Sequence, residues 1–406
     1  MQPLNLKDKI EKILPSETKK VIYECAKIAH LKDYRIFLVG GVVRDLLLDR
    51  NVFDIDITVQ GDAIEFCKLL QTETECSIIQ IQEDLKTAKV RFENNVTIDF
   101  ASTRQEEYPQ KGHLPVVTKT GCVLSRDVKR RDFTINAIAA ALNSDSYGRI
   151  IDYAGGIEDL KNKTLRVLHE KSFIDDPSRI IRGLKFSVRL GFELDKKTKQ
   201  LQDNYLNAPN RDLSRMRIKS ELQQTFELNS PAAFDRCVAQ KIYKIFTEDA
   251  NKNIKGQEIF DISAKYKTEI KHLWLVYLGV LFTCKEDAEF FNFEKNEKRL
   301  LIDALDMIAE NPRTDDLFKV YKFFENKCIE SILIFYLVTK NENAMLFLEK
   351  LRKFRVETTG EDLINMDFLP GAQFSEIFDL VLKERLEGRV SNKREEIDFI
   401  KTLKNS

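Results

Sequence analysis

The chain has 406 residues, enough for about two to four domains, and its equal counts of 65 Lys+Arg and 65 Asp+Glu exclude a protein that coats nucleic acid by overall charge. Hydrophobic residues make up 43%, with 27 Phe, 15 Gly and 9 Pro, which excludes wholesale disorder and points to a helix-rich fold. Residues 1–34 are amphipathic and carry acidic side chains, so they read as a helical segment and not as a secretion signal. Short runs rich in Ile, Val and Phe follow at Arg35–Val39, Ile55–Gln60, 77–81, 88–92 and 96–100, and predict strands with short helices between them. Near residue 155 the pattern changes, and apolar residues recur at helical spacing in 180–190, 218–226 and 374–386. The layout is an α/β head followed by a long helical body, with turn residues marking joints at 152–159, 207–211, 229–231 and 311–315. The longest nearly apolar run, 273–282, falls far short of the ~20 residues that span a bilayer. Seven scattered Cys with no CxxC spacing predict neither a disulfide scaffold nor a cysteine zinc site, so a reducing cytoplasm is the expected location.

Charge is uneven. Residues 161–220 hold 15 Lys+Arg against 7 Asp+Glu, an excess of 15 − 7 = 8, which suits either a phosphate-facing segment or an ordinary solvated helix surface. In the head, 37–45 runs from an apolar strand into Gly40-Gly41 and then a helix bearing Arg44. Glycines there allow close backbone approach, and a helix start offers free N–H groups to a triphosphate; taken alone, the pair also serves as a plain turn. Asp54 and Asp56 stand two apart on an expected strand and so point to one face, with Ile55 and Ile57 toward the core. Such a pair is either a site for a hard divalent cation or two exposed acids at a strand end. Asp99, on a later strand, is a third carboxylate able to serve as a base or simply to face solvent. Together, a glycine turn and an Asp-x-Asp ten residues after Arg44 form the layout that nucleotidyl transfer requires.

Four segments carry a resemblance: LVGGVVRDLLLDRNVFDIDITVQG (38–61), DVKRRDFTINAIA (127–139), IIDYAGGIEDLKNKTLRVL (150–168) and SFIDDPSRIIRGLKF (172–186). In this order and spacing the chain resembles the class II tRNA nucleotidyltransferase and bacterial poly(A) polymerase family, within the DNA polymerase beta superfamily. The match covers residues 30–230. It implies an α+β fold, with a polymerase-beta-type head holding a small mixed sheet, then an all-helical neck, body and tail. On that scheme 1–34 is an N-terminal helical segment, 35–155 the head, 156–230 the neck and 231–406 the body and tail.

The resemblance also implies roles. Gly40, Gly41, Arg44 and Arg131 would contact the nucleotide, and Asp54 and Asp56 would bind catalytic Mg²⁺, with Mn²⁺ as the alternative ion. Asp176, Arg179, Arg182 and Lys185 match the nucleotide-reading segment at the start of the neck helix. As i and i+3 on a helix, Asp176 and Arg179 would share a face. A carboxylate accepts from the exocyclic amine that C and A carry and G and U lack at the same edge, while a guanidinium donates to ring acceptors. The same Asp before Pro177 is also an ordinary helix start. Asp175 replaces a common Glu, and Lys185 replaces a common Arg and loses its fork. Residues 103–126 read as a mobile loop; in the family a loop here helps the switch from C to A. His113 within it is expected to face solvent.

None of the four His is followed by Asp, so no HD phosphohydrolase site is expected. The helical body is expected to dock the acceptor and T-arm of tRNA by shape and backbone contacts, with Lys196, Lys197, Arg215, Arg217 and Lys219 as candidate phosphate contacts. The aromatic stretches 274–282 and 318–324 read as core. The leading reading is an enzyme that adds CCA to the 3′ end of tRNA from CTP and ATP. The alternatives are an A-adding, CC-adding or poly(A) enzyme and, outside enzymes, a catalytically inactive RNA-binding module.

Overall fold

The computed structural model describes residues 5–210 and 212–404; residues 1–4 of the N-terminal segment, Arg211 of the joint read at 207–211, and the last two residues of the tail lie outside the described residues. The chain forms two compact units, Met1–Glu221 with Ala239–Ile245, and Leu222–Val238 with Phe246–Ser406.

In the first unit nine strands belong to the head, in chain order β1 (Arg35–Val39), β2 (Ile55–Gln60), β3 (Cys76–Gln82), β4 (Thr87–Phe92), β5 (Thr97–Ser102), β6 (Arg104–Glu107), β7 (Val116–Thr120), β8 (Ala139–Ala141) and β9 (Ile150–Ile151), and two short ones, Thr164–Leu165 and Glu193–Leu194, pair in parallel by themselves. Seven of them form one mixed sheet in the order β3-β4-β5-β2-β1-β8-β9, and β6 and β7 form a separate hairpin. Within the sheet only β2 and β5 run parallel, with Asp56 in register with Asp99. Their crossover includes the helix Ala63–Glu73, capped by Asp62, which accepts from the Ile64 and Glu65 amides at 2.8 and 3.2 Å. Along β2 Ile55, Ile57 and Val59 face the core, while on the other face Asp56 is only partly buried and Thr58 is fully buried. Phe66 from the helix packs edge-on against Phe100 of β5.

The five expected strands appear within two residues of their predicted ends. The expected loop 103–126 does not hold throughout: it carries the β6–β7 hairpin and the short helix Leu124–Asp127. Strand β8, three alanines with little strand propensity, forms because its backbone pairs with 37–39 of β1. The neck helix Ser178–Leu190 buries Ile180, Ile181 and Leu184 and ends at Gly191 in the left-handed region.

The second unit is helical. Helix Leu273–Leu281 packs against Ile329–Thr339, and both meet Lys295–Glu310. A β-carbon at Gly279 would lie 2.6 Å from Ile334 Cδ1 and 2.9 Å from Leu301 Cδ2, so the close crossing needs a residue without a side chain. Trp274, Tyr277, Phe282 and Phe324 are fully buried and Tyr321 is largely so, so both aromatic stretches are core, with Phe318 and Phe323 at its margin. A smaller cluster of Leu363, Ile377, Val381 and Ile400 holds the last helices. Among the described residues no helix is long and apolar enough to cross a membrane.

Candidate active site

An open cleft of about 680 Å³ in the first unit collects the carboxylates of the sheet and the cations of the neck. On the sheet side, β1 leads into Gly40, whose φ of +73° places it where side-chain residues are strained. A β-carbon there would lie 3.8 Å from Asp56 Oδ2 and 3.7 Å from Arg131 Nη1, so the glycine bend abuts the carboxylate. Asp56 and Asp99 both line the cleft. Lys89, opposite Asp99 across β4 and β5, bonds to it at 3.1 Å. Asp54 differs from expectation: it stands one residue before β2, is exposed, and does not line the cleft. Its charge still reaches Asp56. Desolvation first, then repulsion by Asp99 and more weakly by Asp54, pushes the Asp56 carboxyl up to about 6, against the pull of Arg131 and Lys89. Among the described residues no three His, Cys, Asp or Glu side chains are grouped to hold a metal ion.

Arg131 is anchored at the cleft floor by Thr58 Oγ1 at 3.2 Å and by Asp127 Oδ2 at 3.1 Å, while its buried Nε has no partner. Burial works against a charged Asp127, yet Arg131 and Arg130 together hold its carboxyl below the usual range. Arg44, expected to contact the nucleotide, lines the cleft with its guanidinium already paired. Its guanidinium folds onto its neighbour Asp45 through Nε and Nη2 at 2.8 and 2.9 Å, donates from Nη1 to Asn136 at 2.8 Å, and lies 5.3 Å over the Phe186 ring. It lines the cleft as half of a neutral pair. Gly41 opens the helix Gly41–Leu47 beside it.

On the neck side, Asp176 is not on the helix with Arg179. It sits extended between the short helix Ser172–Asp175 and the neck helix. One oxygen accepts from the Ser178 amide at 3.2 Å, so the helix-start reading holds, and the other accepts from Arg217 Nη2 at 2.5 Å. Arg179 Nε is 3.7 Å from the same oxygen, a loose ion pair. Arg182 donates to Asp132 from Nε and Nη2 at 2.8 and 2.7 Å and from Nη1 to Glu221 at 2.9 Å. Lys185 bonds to the other Glu221 oxygen at 2.7 Å, and burial lowers its basicity. Both cations line the cleft, but as partners of acids.

Of the candidate RNA phosphate contacts, Arg217 lines the cleft, bonded to Asp176. Lys196 and Lys197 are exposed on the helix Lys196–Asn207, with Lys197 paired to Glu170. Arg215 and Lys219 lie on the helix Arg215–Phe226, outside the cleft lining. The hairpin tip is pinned to the neck, with His113 bonded to Asp212 at 3.0 Å and not simply facing solvent. Sequence reasoning missed Tyr108, Arg130, Asp132 and Glu221. The only local signal among them is Glu221, one turn after Arg217, which reads as an ordinary helix pair.

Residues 36–166 match the family model described as the poly A polymerase head domain. The chain is 29% identical to an A-adding tRNA nucleotidyltransferase of Geobacter sulfurreducens over 97% of this chain and 48% of that one, so it spans about half the length of that relative. It is 27% identical to an A-adding tRNA nucleotidyltransferase of Halalkalibacterium halodurans, over 99% of this chain and 96% of the relative. In fold it is similar to a solved CCA-adding enzyme in its apo form II, with a TM-score of 0.82 at 24% identity, covering 99% of this chain and 100% of the other. Residues 36–166 thus form a poly A polymerase head domain, and over its whole length the chain is similar in sequence to A-adding tRNA nucleotidyltransferases and in fold to a CCA-adding enzyme.

Proposed function

We propose that the protein is a template-independent nucleotidyltransferase that builds the 3′ CCA end of tRNA from CTP and ATP and releases pyrophosphate. The observation that carries it is one cleft lined by Asp56 beside the Gly40 turn and by Asp176 with its arginines. The 3′ hydroxyl oxygen of the RNA would attack the α-phosphorus as the bond to the β-phosphate breaks. Arg131, fixed by Thr58 and Asp127, would hold the triphosphate without reorganising. Asp99, in register with Asp56, would take the hydroxyl proton.

The oxygen donors and the electrostatics suit a divalent ion. Asp56 is crowded by two like charges, and Asp54 and Asp56 would hold Mg²⁺, or Mn²⁺, with the nucleotide's own oxygens. When bound, such an ion supplies charge stabilisation to phosphoryl oxygens. Asp176 would accept from the amine of C or A, and the acceptor and T-arm of tRNA are the expected docking partner, in the cytoplasm. No phosphohydrolase activity is part of this reading.

A narrower second reading, addition of the terminal A alone, is favoured by both curated relatives described above, which are A-adding enzymes. One experiment tests both. Purified protein is incubated with tRNA transcripts ending before CCA, after C and after CC, with each labelled nucleotide in turn. Full CCA activity labels all three; A-only activity labels the transcript ending in CC with ATP alone. No label on any transcript would refute the proposal.

A further inference from the structure

We propose that Arg50 and Arg189 form a clamp for a backbone phosphate of the RNA 3′ strand where it leaves the cleft. The assignment rests on the nucleotidyl-transfer reading above. It starts from the end of the helix Gly41–Leu47. Asp49 turns left-handed at φ +54°, its amide donates to the Leu46 carbonyl at 3.2 Å, and the Arg50 amide donates to the Asp45 carbonyl at 2.8 Å. This paired closure of the helix end fixes the backbone of Arg50. Arg50 Nη1 in turn donates to the Arg189 carbonyl at 3.1 Å, in the last turn of the neck helix. Two arginines 139 positions apart are thereby joined.

The charges at this joint do not balance. Arg44 takes both oxygens of Asp45, at 2.8 and 2.9 Å. Arg189 Nη2 reaches the same carboxylate only at 3.4 Å, and its side chain stays 40% exposed. Its Nε and Nη1 meet no acceptor among the described residues. Asp49, the next acid along the chain, is taken by Lys9 at 2.9 Å. Beyond its bond to the Arg189 carbonyl, the exposed Arg50 guanidinium has no partner among the described residues. Arg44, Arg50 and Arg189 thus bring three positive charges against the one negative charge of Asp45, a surplus of 3 − 1 = 2.

Two guanidiniums with N–H groups to spare suit a phosphate, which accepts several hydrogen bonds and carries the opposite charge. Position selects the RNA strand. Arg189 lines the cleft and Arg50 does not, so the pair stands at the cleft's edge. A nucleotide seated at Gly40 and Arg131 would lie within the cleft, whereas a strand whose 3′ hydroxyl reaches Asp56 has to cross that edge. Arg50 also stands four residues before Asp54, in the segment leading into β2. A contact to the RNA backbone fixes the position of the 3′ end without reading its sequence.

The test measures equilibrium binding of a tRNA transcript ending in CC, and separately of ATP, to wild type and variants over a range of salt. Arg189→Ala and Arg50→Ala should each weaken RNA binding roughly 10-fold, the low end for a hydrogen bond to a charged group. Each should also lower the slope of log affinity against log salt by about 0.7, the value for one contact to a single strand. ATP affinity should stay at the wild-type value. Arg189→Lys should keep most of the salt slope, which separates lost charge from lost packing. RNA carrying one neutral methylphosphonate linkage, moved stepwise from the 3′ end, locates the phosphate. Wild type should lose about 10-fold at one linkage, and Arg189→Ala should lose nothing more there. Unchanged RNA affinity and slope in both alanine variants, or equal sensitivity of wild type and Arg189→Ala at every linkage, overturns the assignment. A fall in ATP affinity with RNA binding unchanged puts the phosphate on the nucleotide and overturns it too. If Arg189→Ala fails to fold, Arg50→Ala, which leaves Asp45 its partners, carries the same comparison. Wild type that labels no transcript refutes the enzymatic reading, while the salt slopes still decide the clamp; wild type that binds no RNA overturns the clamp.

Discussion

Replacing Asp132 with Asn should loosen the neck helix from the head. Asp132 is buried and receives two bonds from Arg182 at 2.8 and 2.7 Å, one from the Phe133 amide at 2.7 Å and one from Asn136 at 3.1 Å. Burial alone would raise its carboxyl, but the Arg182 charge and these donors bring it from 3.8 down to about 2. That drop corresponds to roughly 2 kcal/mol favouring the ionised form in the folded state. Asn keeps an acceptor and loses the charge, and Arg182 keeps Glu221. A loss of roughly 2 kcal/mol is about a 30-fold change in an opening equilibrium. Amide hydrogen exchange read on peptides from 178–190 should therefore quicken about 30-fold in Asp132→Asn, while peptides from β3 and β4 stay unchanged. Because folding lowers this acidity, its contribution is complete above 3.8 and fades as the pH falls toward about 2, where wild type and variant should converge. Equal exchange of 178–190 in both proteins at neutral pH would refute the coupling.

Gly40→Ala should cost about 1–2 kcal/mol through its left-handed backbone alone, since the added carbon meets only ordinary contacts; thermal unfolding should show the loss, and a rise in KM for nucleotide should accompany it. Gly112→Ala should free the hairpin tip from the neck, because at φ +82° its β-carbon would lie 2.9 Å from Leu213 Cβ and 3.1 Å from the Asp212 carbonyl. Limited proteolysis should then cut between β6 and β7 faster than in wild type, and an unchanged cutting rate would count against a pinned tip.

The sheet was legible where side chains announce it. A continuous apolar run gives β1, and Ile and Val at alternate positions give β2, both to the residue, and the Gly-Gly bend and Asp-x-Asp place the cleft's sheet wall beside them. Strand β8 escaped because three alanines carry no such signal; the neighbouring backbone makes it a strand. The hairpin of β6 and β7 escaped because Gly, Pro and polar residues of its tip dominate a short window. The neck wall was read only in part. Charge counting recognised a basic segment but could not tell a cation facing solvent from one turned onto an acid. Arg44 meets Asp45, Arg182 and Lys185 meet Glu221, and Arg217 meets Asp176; all but the first are contacts between residues 36–41 apart. The i, i+3 spacing of Asp176 and Arg179 reads as one helix face, whereas the chain breaks at Asp176 and turns the carboxylate both to the helix start and to the cleft.

The most direct measurement is a single-turnover reaction of wild type and Asp56→Asn with labelled ATP and Mg²⁺ on a tRNA transcript ending in CC, alongside the binding of that tRNA to each protein. Wild type should add one AMP and release pyrophosphate; the variant should bind the tRNA as well and transfer at least ~1,000-fold more slowly, the order expected when charge stabilisation at the reacting phosphate is removed. Transfer by the variant at the wild-type rate would contradict the placement of the chemistry at Asp56.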